Sequence, residues 1–161
     1  MNSLALFLLG AFTTATLQVS SPAFKENGMI PSKYTCEGDN INPAVSVKNI
    51  PQKAKSLALI MDDPDAPMAG GFTHWVAWNI DPAGMINEKS SQGVQGKNGG
   101  GKNGYTGPCP PSGTHHYHFR VYALNEMLTL KSGADKKQLE DAMKGHILAM
   151  GEVVGLYKKI K

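Results

Sequence analysis

The sequence predicts a mostly β fold with one short helix late in the chain. Eighteen glycines and ten prolines among 161 residues are typical of short strands separated by turns. Apolar or alternating runs of strand length recur between those turn residues. Helical spacing is confined to residues 135–144, where Leu139 and Met143 lie four positions apart and Gly145 can end the helix.

The other elements follow from hydrophobic periodicity. Residues 56–61 form a continuous apolar run, which is typical of a central strand buried on both faces. Residues 88–104 contain almost no apolar side chain, so we expect an exposed excursion with no assigned element. A Glu140–Lys144 pair is expected to stabilise the helix. The predicted strands are residues 17–20, 44–47, 56–61, 72–80, 117–124 and 147–160.

The charge composition argues against a nucleic-acid partner. The net charge is +3, from 16 Lys and Arg against 13 Asp and Glu, and Arg120 is the sole arginine. Nucleic-acid binders usually carry a clustered basic surface with arginines that fork onto phosphates and bases. We therefore expect no nucleic acid among the partners.

Residues 1–15 resemble a secretory signal peptide. An apolar run at residues 4–12 is too short to span a bilayer and is followed by small residues that suit cleavage near residues 13–15. No Lys or Arg precedes the run, so an ordinary first strand and a cytoplasmic location are the alternative. We predict a periplasmic or secreted protein whose mature part, residues 16–161, is a single domain without a transmembrane anchor.

The two cysteines, Cys36 and Cys109, fit an exported protein. An even pair in such a protein predicts a disulfide, here between an early loop and a Gly/Pro-rich loop at residues 104–114. Two reduced, half-buried thiols are the alternative.

Ionisable side chains stand at the ends of three predicted strands. Alternation places Asp63 at the end of one inward row, and His74 at the end of a row that includes Val76 and Ile80. If the first two of these strands pair as a hairpin, Asp63 and His74 flank the same turn, and His115 opens the third strand. The predicted cluster comprises Asp63, His74 and His115, with Asp65 just beyond and Tyr117 one step inside.

This cluster has the chemistry of a small-anion site. Imidazole and phenol groups donate hydrogen bonds to phosphate or carboxylate oxygens, and the backbone amides of residues 104–107 can form an anion-binding concavity. Asp63 or Asp65 can fix the tautomer of an imidazole or bind an ammonium group on the ligand. An isolated histidine is more often structural, but three convergent strand ends favour a site.

Several motifs resemble one protein family over essentially the whole chain after the leader. They are Asp63-Pro-Asp-Ala-Pro67, His74-Trp-Val76, Gly107-Pro-Cys-Pro-Pro111, His115-His-Tyr117 and Tyr34-Thr-Cys-Glu-Gly38. In this order they resemble the phosphatidylethanolamine-binding protein family, and within it the bacterial and archaeal YbhB/YbcL-like (Raf kinase inhibitor-like) branch.

The resemblance implies a central antiparallel β-sheet packed against a smaller sheet, with one or two short helices and a small pocket at one end. The family's pocket binds phosphate, phosphorylated head groups such as phosphoethanolamine, and other small anions. The expected function is therefore non-catalytic binding, without a cofactor or a resident metal. Members of the family often have a cis proline in the segment that corresponds to residues 63–67, and the resemblance leaves the cis or trans state of Pro64 and Pro67 open. The ligand-binding residues it implies are Asp63, Asp65, His74, Gly107, Pro111, His115 and Tyr117.

Two other functions stay open from the residues alone. A weak hydrolase of the esterase or phosphatase type is conceivable because Asp63, His74 and His115 permit acid–base chemistry, although the sequence has no Gly-x-Ser-x-Gly motif. A metal site is the other, built from His116 and His118 or from His74, His115 and an aspartate.

The expected partner is a small phosphoanion or a phospholipid head group. A protein partner, either a kinase or a protease, is left open by the resemblance. A tyrosine that eukaryotic members carry has no counterpart in residues 68–73, and their C-terminal helix has none either, so kinase inhibition is not carried over. A homodimer is equally open.

Overall fold

A computed structural model describes residues 15–160, which form two β-sheets, one α-helix and one turn of 3-10 helix. The predicted mostly β fold is confirmed. The elements are β1 (Ala15–Thr16), β2 (Gln18–Ser20), β3 (Gly28–Met29), the 3-10 turn (Ser32–Tyr34), β4 (Val45–Lys48), β5 (Ser56–Asp63), β6 (Phe72–Ile80), β7 (Met85–Ile86), β8 (Val94–Gln95), β9 (His115–Leu124), α1 (Lys136–Met143) and β10 (Ile147–Tyr157).

The larger sheet has seven strands in the order β1-β10-β9-β5-β6-β8, and β3 also pairs with β10. Its long strands β10, β9, β5 and β6 are antiparallel, whereas the short β1 and β3 run parallel to β10. The smaller sheet is antiparallel in the order β2-β4-β7. This is the two-sheet arrangement that the resemblance implies.

Strand β5 occupies the centre of the core because both faces of the large sheet are covered. Every residue from Ser56 to Asp63 is buried, as the continuous apolar run predicted. The odd-numbered residues Leu57, Leu59 and Met61 pack toward the small sheet, whose Val45 and Val47 belong to the same cluster. On the opposite face, Ala58, Ile60, Val76 and Trp78 pack with Leu139 and Met143 of α1.

A β-bulge at Asn79 corrects one predicted row of side chains. Leu57 pairs with Ile80 and Leu59 with Ala77, so β6 carries one extra residue here. Asn79 takes a φ of 54°, and its side chain donates to the Leu128 carbonyl and accepts from the Leu128 amide, both at 2.8 Å. Ile80 consequently lies in the small-sheet cluster, not with Val76 as strict alternation predicted.

The helix forms where it was predicted, and its caps explain its ends. Asp135 accepts from the Gln138 amide while Gln138 accepts from the Asp135 amide, a reciprocal capping box. The expected Glu140–Lys144 pair is wrong, because Lys144 instead contacts Asp141 at 2.6 Å.

The segment predicted as an exposed excursion is partly built into the sheet. Strand β8 pairs with β6, and Asn98 is buried. The Asn98 side chain accepts from the amides of Gly100 and Lys102 and donates to the Gly104 carbonyl. Hydrogen bonds from the backbone and from polar side chains order this segment. The periodicity of apolar residues therefore could not predict its structure.

The predicted leader falls almost entirely on residues 1–14, which lie outside the described residues. Ala15 and Thr16 pair with Ala149 and Met150 of β10. No peptide bond in residues 15–160 is cis, and the bonds before Pro64 and Pro67 are trans. Within the same residues, no helix has the length and apolar character needed to cross a bilayer.

We predict that Asn79→Ala lowers the free energy of unfolding by about 2–3 kcal/mol. The change leaves both backbone groups of the buried Leu128 without their partners and puts an alanine at positive φ. Asn49→Ala is the matched control, since Asn49 has a φ of 60° and an exposed side chain, and we expect a loss of about 1 kcal/mol. Equal losses in urea denaturation of the two variants would contradict the role of the Asn79 side chain.

Candidate functional site

A cavity of about 280 Å³ lies at one end of the large sheet, beside the ends of β5 and β6 and the wall loop, which we define as residues 105–111. Its walls are mainly apolar, and Asp63 and His74 are the two lining side chains that can carry charge. Small, partly apolar cavities with few polar groups are typical of ligand sites. The lining residues are Asp63, Ala66, Pro67, Met68, Phe72, His74, Thr106, Gly107, Cys109, Pro110 and Pro111.

A wider and more open groove of about 600 Å³ lies between residues 126–134 and α1. No histidine or aspartate lines it, and none of the predicted site residues does. Of the ionisable groups that suggested a site, Asp63 and His74 line the smaller cavity.

His74 reaches this cavity because of a second β-bulge in β6. Met61 pairs with Trp75 and Asp62 with Thr73, which leaves His74 as the extra residue between them. Thr73 donates to Asp62 on the helix-facing side of the sheet, whereas Trp75 lies in the small-sheet cluster together with Met61. His74 lines the cavity with Asp63, so the predicted row of His74 and Val76 is wrong although the predicted convergence occurs.

Hydrogen bonding determines the tautomer of His74. Its Nδ1 lies 2.8 Å from the Thr106 carbonyl oxygen, and a carbonyl can only accept, so Nδ1 carries a hydrogen. In the neutral ring Nε2 is then an acceptor. The side chain is buried, and burial lowers the pKa of the His74 imidazole despite the opposing effects of the Thr106 carbonyl and the Asp63 carboxylate.

Asp63 is engaged within the protein through both carboxylate oxygens. Oδ2 lies 2.7 Å from Nδ1 of His115, and Oδ1 accepts from the Asp65 amide at 2.9 Å. The side chains of Asp63 and His115 are 4% and 9% exposed, so this contact is well shielded from water. Asp63 thus orients His115, which is one of the two roles that the sequence suggested for an aspartate.

Tyr117 and His115 lie next to the cavity but are not among the residues that line it. The Tyr117 ring packs edge-on against His74 at 5.2 Å and is stacked with His115 at 6.5 Å. Its buried hydroxyl makes no hydrogen bond of ordinary geometry to residues 15–160. Burial, followed by the charge of Asp63, raises the pKa of the Tyr117 hydroxyl, which therefore keeps its hydrogen.

Asp65 is not brought to the cavity. Its Oδ2 accepts from both the amide (2.8 Å) and Nδ1 (2.7 Å) of His116, and its side chain is 41% exposed. The hydrogen bonds from His116 lower the pKa of the Asp65 carboxyl. His116 projects away from His115 as strand alternation predicted, and it holds Asp65 outside the lining of the cavity.

The predicted anion-binding concavity of backbone amides is absent from the wall loop and its approach. Three of the four amides of residues 104–107 donate within the protein, at 2.7–2.9 Å. Gly107 lines the cavity for a packing reason, because a Cβ there would stand 2.4 Å from the Tyr34 carbonyl oxygen. The three bonds are Gly104 to the Gly96 carbonyl, Thr106 to the His74 carbonyl and Gly107 to Oδ1 of Asn40.

Sequence reasoning placed Pro111 in the cavity wall, where it lies, but missed most of the apolar lining. Phe72 packs its ring edge-on against His74 at 4.7 Å, and Met68 is 52% exposed at the cavity. Phe72 precedes His74 by two positions, so alternation alone contained a signal for it. The turn that carries Met68 has no such periodic signal.

The predicted disulfide between Cys36 and Cys109 is present, with a Cα–Cα distance of 5.5 Å. Both cysteines are exposed, and Cys109 belongs to the cavity lining. The Cys36 amide also donates to the Pro108 carbonyl at 3.1 Å. The bridge therefore fastens the wall loop to the loop that follows the 3-10 turn.

No three His, Cys, Asp or Glu side chains within residues 15–160 are arranged to hold a metal ion. The metal alternatives considered from the sequence thus have no ligand set in that part of the chain. His116 contacts Asp65, and His118 contacts Glu152 at 3.4 Å.

Comparison with known sequences supports the resemblance drawn from the motifs. The family model for phosphatidylethanolamine-binding protein matches residues 20–158. A UPF0098 protein of Pyrococcus horikoshii is 52% identical over 155 residues, covering 89% of this chain and 77% of that protein. A UPF0098 protein of Methanothermobacter thermautotrophicus is 47% identical over 154 residues, covering 89% and 99%.

Solved structures agree with the sequence comparison. A phosphatidylethanolamine-binding protein homologue from Chlamydia trachomatis matches with a TM-score of 0.86 at 41% identity, over 90% of this chain and 99% of that one. YbcL from E. coli, described as a member of the mammalian PEBP family, matches with a TM-score of 0.82 at 28% identity and the same coverage. The family resemblance and the fold inferred from it are confirmed.

We predict that the double variant Cys36→Ser, Cys109→Ser loses roughly 4 kcal/mol of unfolding free energy. The bridge closes a long loop, with a sequence separation of 73, and its loss enlarges the conformational freedom of the unfolded chain. Urea denaturation of the oxidised protein and the variant measures the difference. Reductant should weaken the unmodified protein by a similar amount and leave the variant unchanged; equal stability of the oxidised protein and the variant would contradict the prediction.

Proposed function

Because the chain belongs to the phosphatidylethanolamine-binding protein family, we propose that its cavity binds a phosphate-like anion or a phosphorylated head group of the phosphoethanolamine type, without turnover. The observation that carries this proposal is the buried His74 ring, whose Nδ1 is held by Thr106 at 2.8 Å in a small, otherwise largely apolar cavity. The ring is therefore held in one orientation, and Nε2 is its ligand-binding atom.

The remaining lining suits the other parts of such a ligand. Pro67, Met68 and Phe72 offer apolar surface to a short carbon segment. Each Asp63 oxygen accepts one hydrogen bond within the protein and retains capacity for another. That capacity fits a ligand ammonium group, so we expect phosphoethanolamine to bind more tightly than inorganic phosphate.

Export to an oxidising compartment is part of the proposal. Structural disulfides persist in periplasmic and extracellular proteins and are rare in the cytosol of mesophiles. The Cys36–Cys109 bridge is exposed, so cytosolic thiols would reach it. This supports the location that the leader suggested.

We predict that His74→Ala weakens binding of phosphate and phosphoethanolamine by about tenfold to a hundredfold near pH 6. A hydrogen bond to a charged partner contributes about 1.5–3 kcal/mol, and alanine removes it. Titration calorimetry measures the dissociation constants. His146→Ala is the matched control, since His146 contacts Asn125 and Glu126 beyond the far end of β9. Unchanged binding in His74→Ala would contradict the assignment of the site.

A weak hydrolase is the second candidate, and the Asp63–His115 contact is the observation that favours it. An aspartate bound to Nδ1 of a histidine leaves Nε2 as an acceptor, which is the arrangement of a general base. Against it, the one hydroxyl among the residues that line the cavity is that of Thr106, and no contact orients it toward His115.

We predict no hydrolysis of p-nitrophenyl phosphate or p-nitrophenyl acetate above the buffer rate, because a nucleophile paired with the base is lacking among the lining residues. Release of p-nitrophenol by the purified protein and by Asp63→Asn, followed spectrophotometrically, tests this. Turnover in the unmodified protein that disappears in Asp63→Asn would establish the hydrolase in place of the binding protein.

A further inference from the structure

The cavity contains no fixed positive charge to meet an anion. Among its lining residues, Asp63 and His74 are the two that can ionise, and no lysine or arginine is present. Asp63 accepts a hydrogen bond at each oxygen and therefore serves as a carboxylate. An incoming phosphate dianion would thus meet a negative charge and an imidazole, with no ammonium or guanidinium group to offset it.

Three backbone amides near the cavity are also engaged, whereas the hydroxyls of Thr106, in the lining, and Tyr117, beside it, are neutral donors that add no positive charge. The amides of Gly104, Thr106 and Gly107 each donate to a protein oxygen. The Nδ1 hydrogen of His74 points to the Thr106 carbonyl. Nε2 of the neutral His74 ring is therefore an acceptor, and two acceptors cannot form a hydrogen bond unless a hydrogen is added between them.

The elements packed around His74 present no lysine or arginine on this face either. Strand β5 presents Asp63 on this face, and its neighbour Asp62 lies on the other face, bound to Arg120 at 3.3 Å and Lys136 at 2.8 Å. Strand β9 presents His115, whose Nδ1 contacts Asp63, and the uncharged Tyr117. The wall loop presents the Thr106 carbonyl and the uncharged Tyr105.

We propose that a phosphate group enters this cavity together with one added hydrogen, which Nε2 of His74 shares with a phosphate oxygen. The proposal rests on the binding function proposed above. The hydrogen comes from solution when the ligand is a dianion, and from the ligand itself when the ligand is a monoanion. In the first case, neutral His74, the phosphate dianion and one proton from solution combine. In the second case, neutral His74 and the phosphate monoanion combine. Both routes give the same complex with one shared hydrogen.

This requirement defines the class of ligand. The oxyanion must gain or lose a proton near neutral pH, as phosphate and phosphomonoesters do, with a second pKa of about 6 for a phosphomonoester side chain. Such a ligand can supply the hydrogen at little cost in the neutral range. Burial lowers the pKa of His74, so the free protein does not hold that hydrogen in advance above neutral pH.

The test is calorimetry of inorganic phosphate with the intact, oxidised protein in buffers that differ in ionisation enthalpy. The buffer dependence of the observed enthalpy gives the number of protons taken up. We expect about one proton near pH 8 and an uptake close to zero near pH 6. The affinity should fall about tenfold for each pH unit above pH 8, because one proton is linked to binding.

The variant His74→Gln separates two effects, the hydrogen bond donated to phosphate and the proton uptake that accompanies binding. The glutamine amide places a permanent donor near the position of Nε2 and does not titrate. We expect this variant to bind phosphate near pH 8 with proton uptake reduced to near zero. His146→Gln makes the same chemical change outside the cavity and should keep an uptake of about one proton.

The outcomes distinguish this inference from the proposed function. Absence of phosphate binding by the unmodified protein from about pH 6 to about pH 8 would overturn both. Binding near pH 8 without proton uptake, and without a pH-dependent affinity, would overturn the inference alone, and this measurement needs no variant. Undiminished uptake in a folded His74→Gln protein would overturn the assignment to His74.

Discussion

Two reciprocal hydrogen bonds between His74 and Thr106 join the wall of the cavity to the sheet. The imidazole donates to the Thr106 carbonyl at 2.8 Å, and the Thr106 amide donates to the His74 carbonyl at 2.9 Å. The bulge frees the His74 carbonyl for the second bond, because an extra residue in a strand leaves its backbone groups out of the ladder, and it turns the ring to the side of the wall loop for the first. These two hydrogen bonds orient the ring and position the wall loop. They also engage the Nδ1 hydrogen of His74 and the Thr106 amide, so neither can donate to an anion. The hydrogen-bonding properties of the cavity therefore follow from the β-bulge at His74.

The neighbouring aspartates of β5 show how one strand serves two faces. Asp62 binds Arg120, Lys136 and Thr73 on the helix side, whereas Asp63 binds His115 on the cavity side. Alternation sends the two carboxylates in opposite directions, and each finds its own partners. A buried carboxylate lowers stability unless it is paired and hydrogen-bonded. The donors on each face of the strand end therefore stabilise the carboxylate that lies on that face.

The sequence was sufficient to predict the longer strands, the helix and the proximity of Asp63 to His74 and His115, because periodicity and turn residues act locally. The two-residue strands β3, β7 and β8 carry no such pattern and were not predicted. His74 lies beside Asp63 as predicted, but the prediction assumed that His74 shares a face with Val76, which is wrong. A β-bulge separates the two, and the pattern of a single strand does not encode a bulge. Asp65 and the amides of residues 104–107 were misjudged for a different reason. Their partners, His116 and Asn40 among them, come from distant segments, and the sequence does not show which donors are already engaged.

The position of β10 has a consequence for how the molecule is made. This strand, late in the chain, pairs with β9 on one side and with the early strands β1 and β3 on the other. Ala15 and Gly28 meet Ala149 and Gly155, so the large sheet cannot be completed during synthesis until the segment that contains β10 has left the ribosome. Contacts between residues so distant in sequence form slowly, and β1 and β3 stay unpaired until then. A chaperone that meets the chain during its synthesis would therefore meet it with this side of the large sheet incomplete.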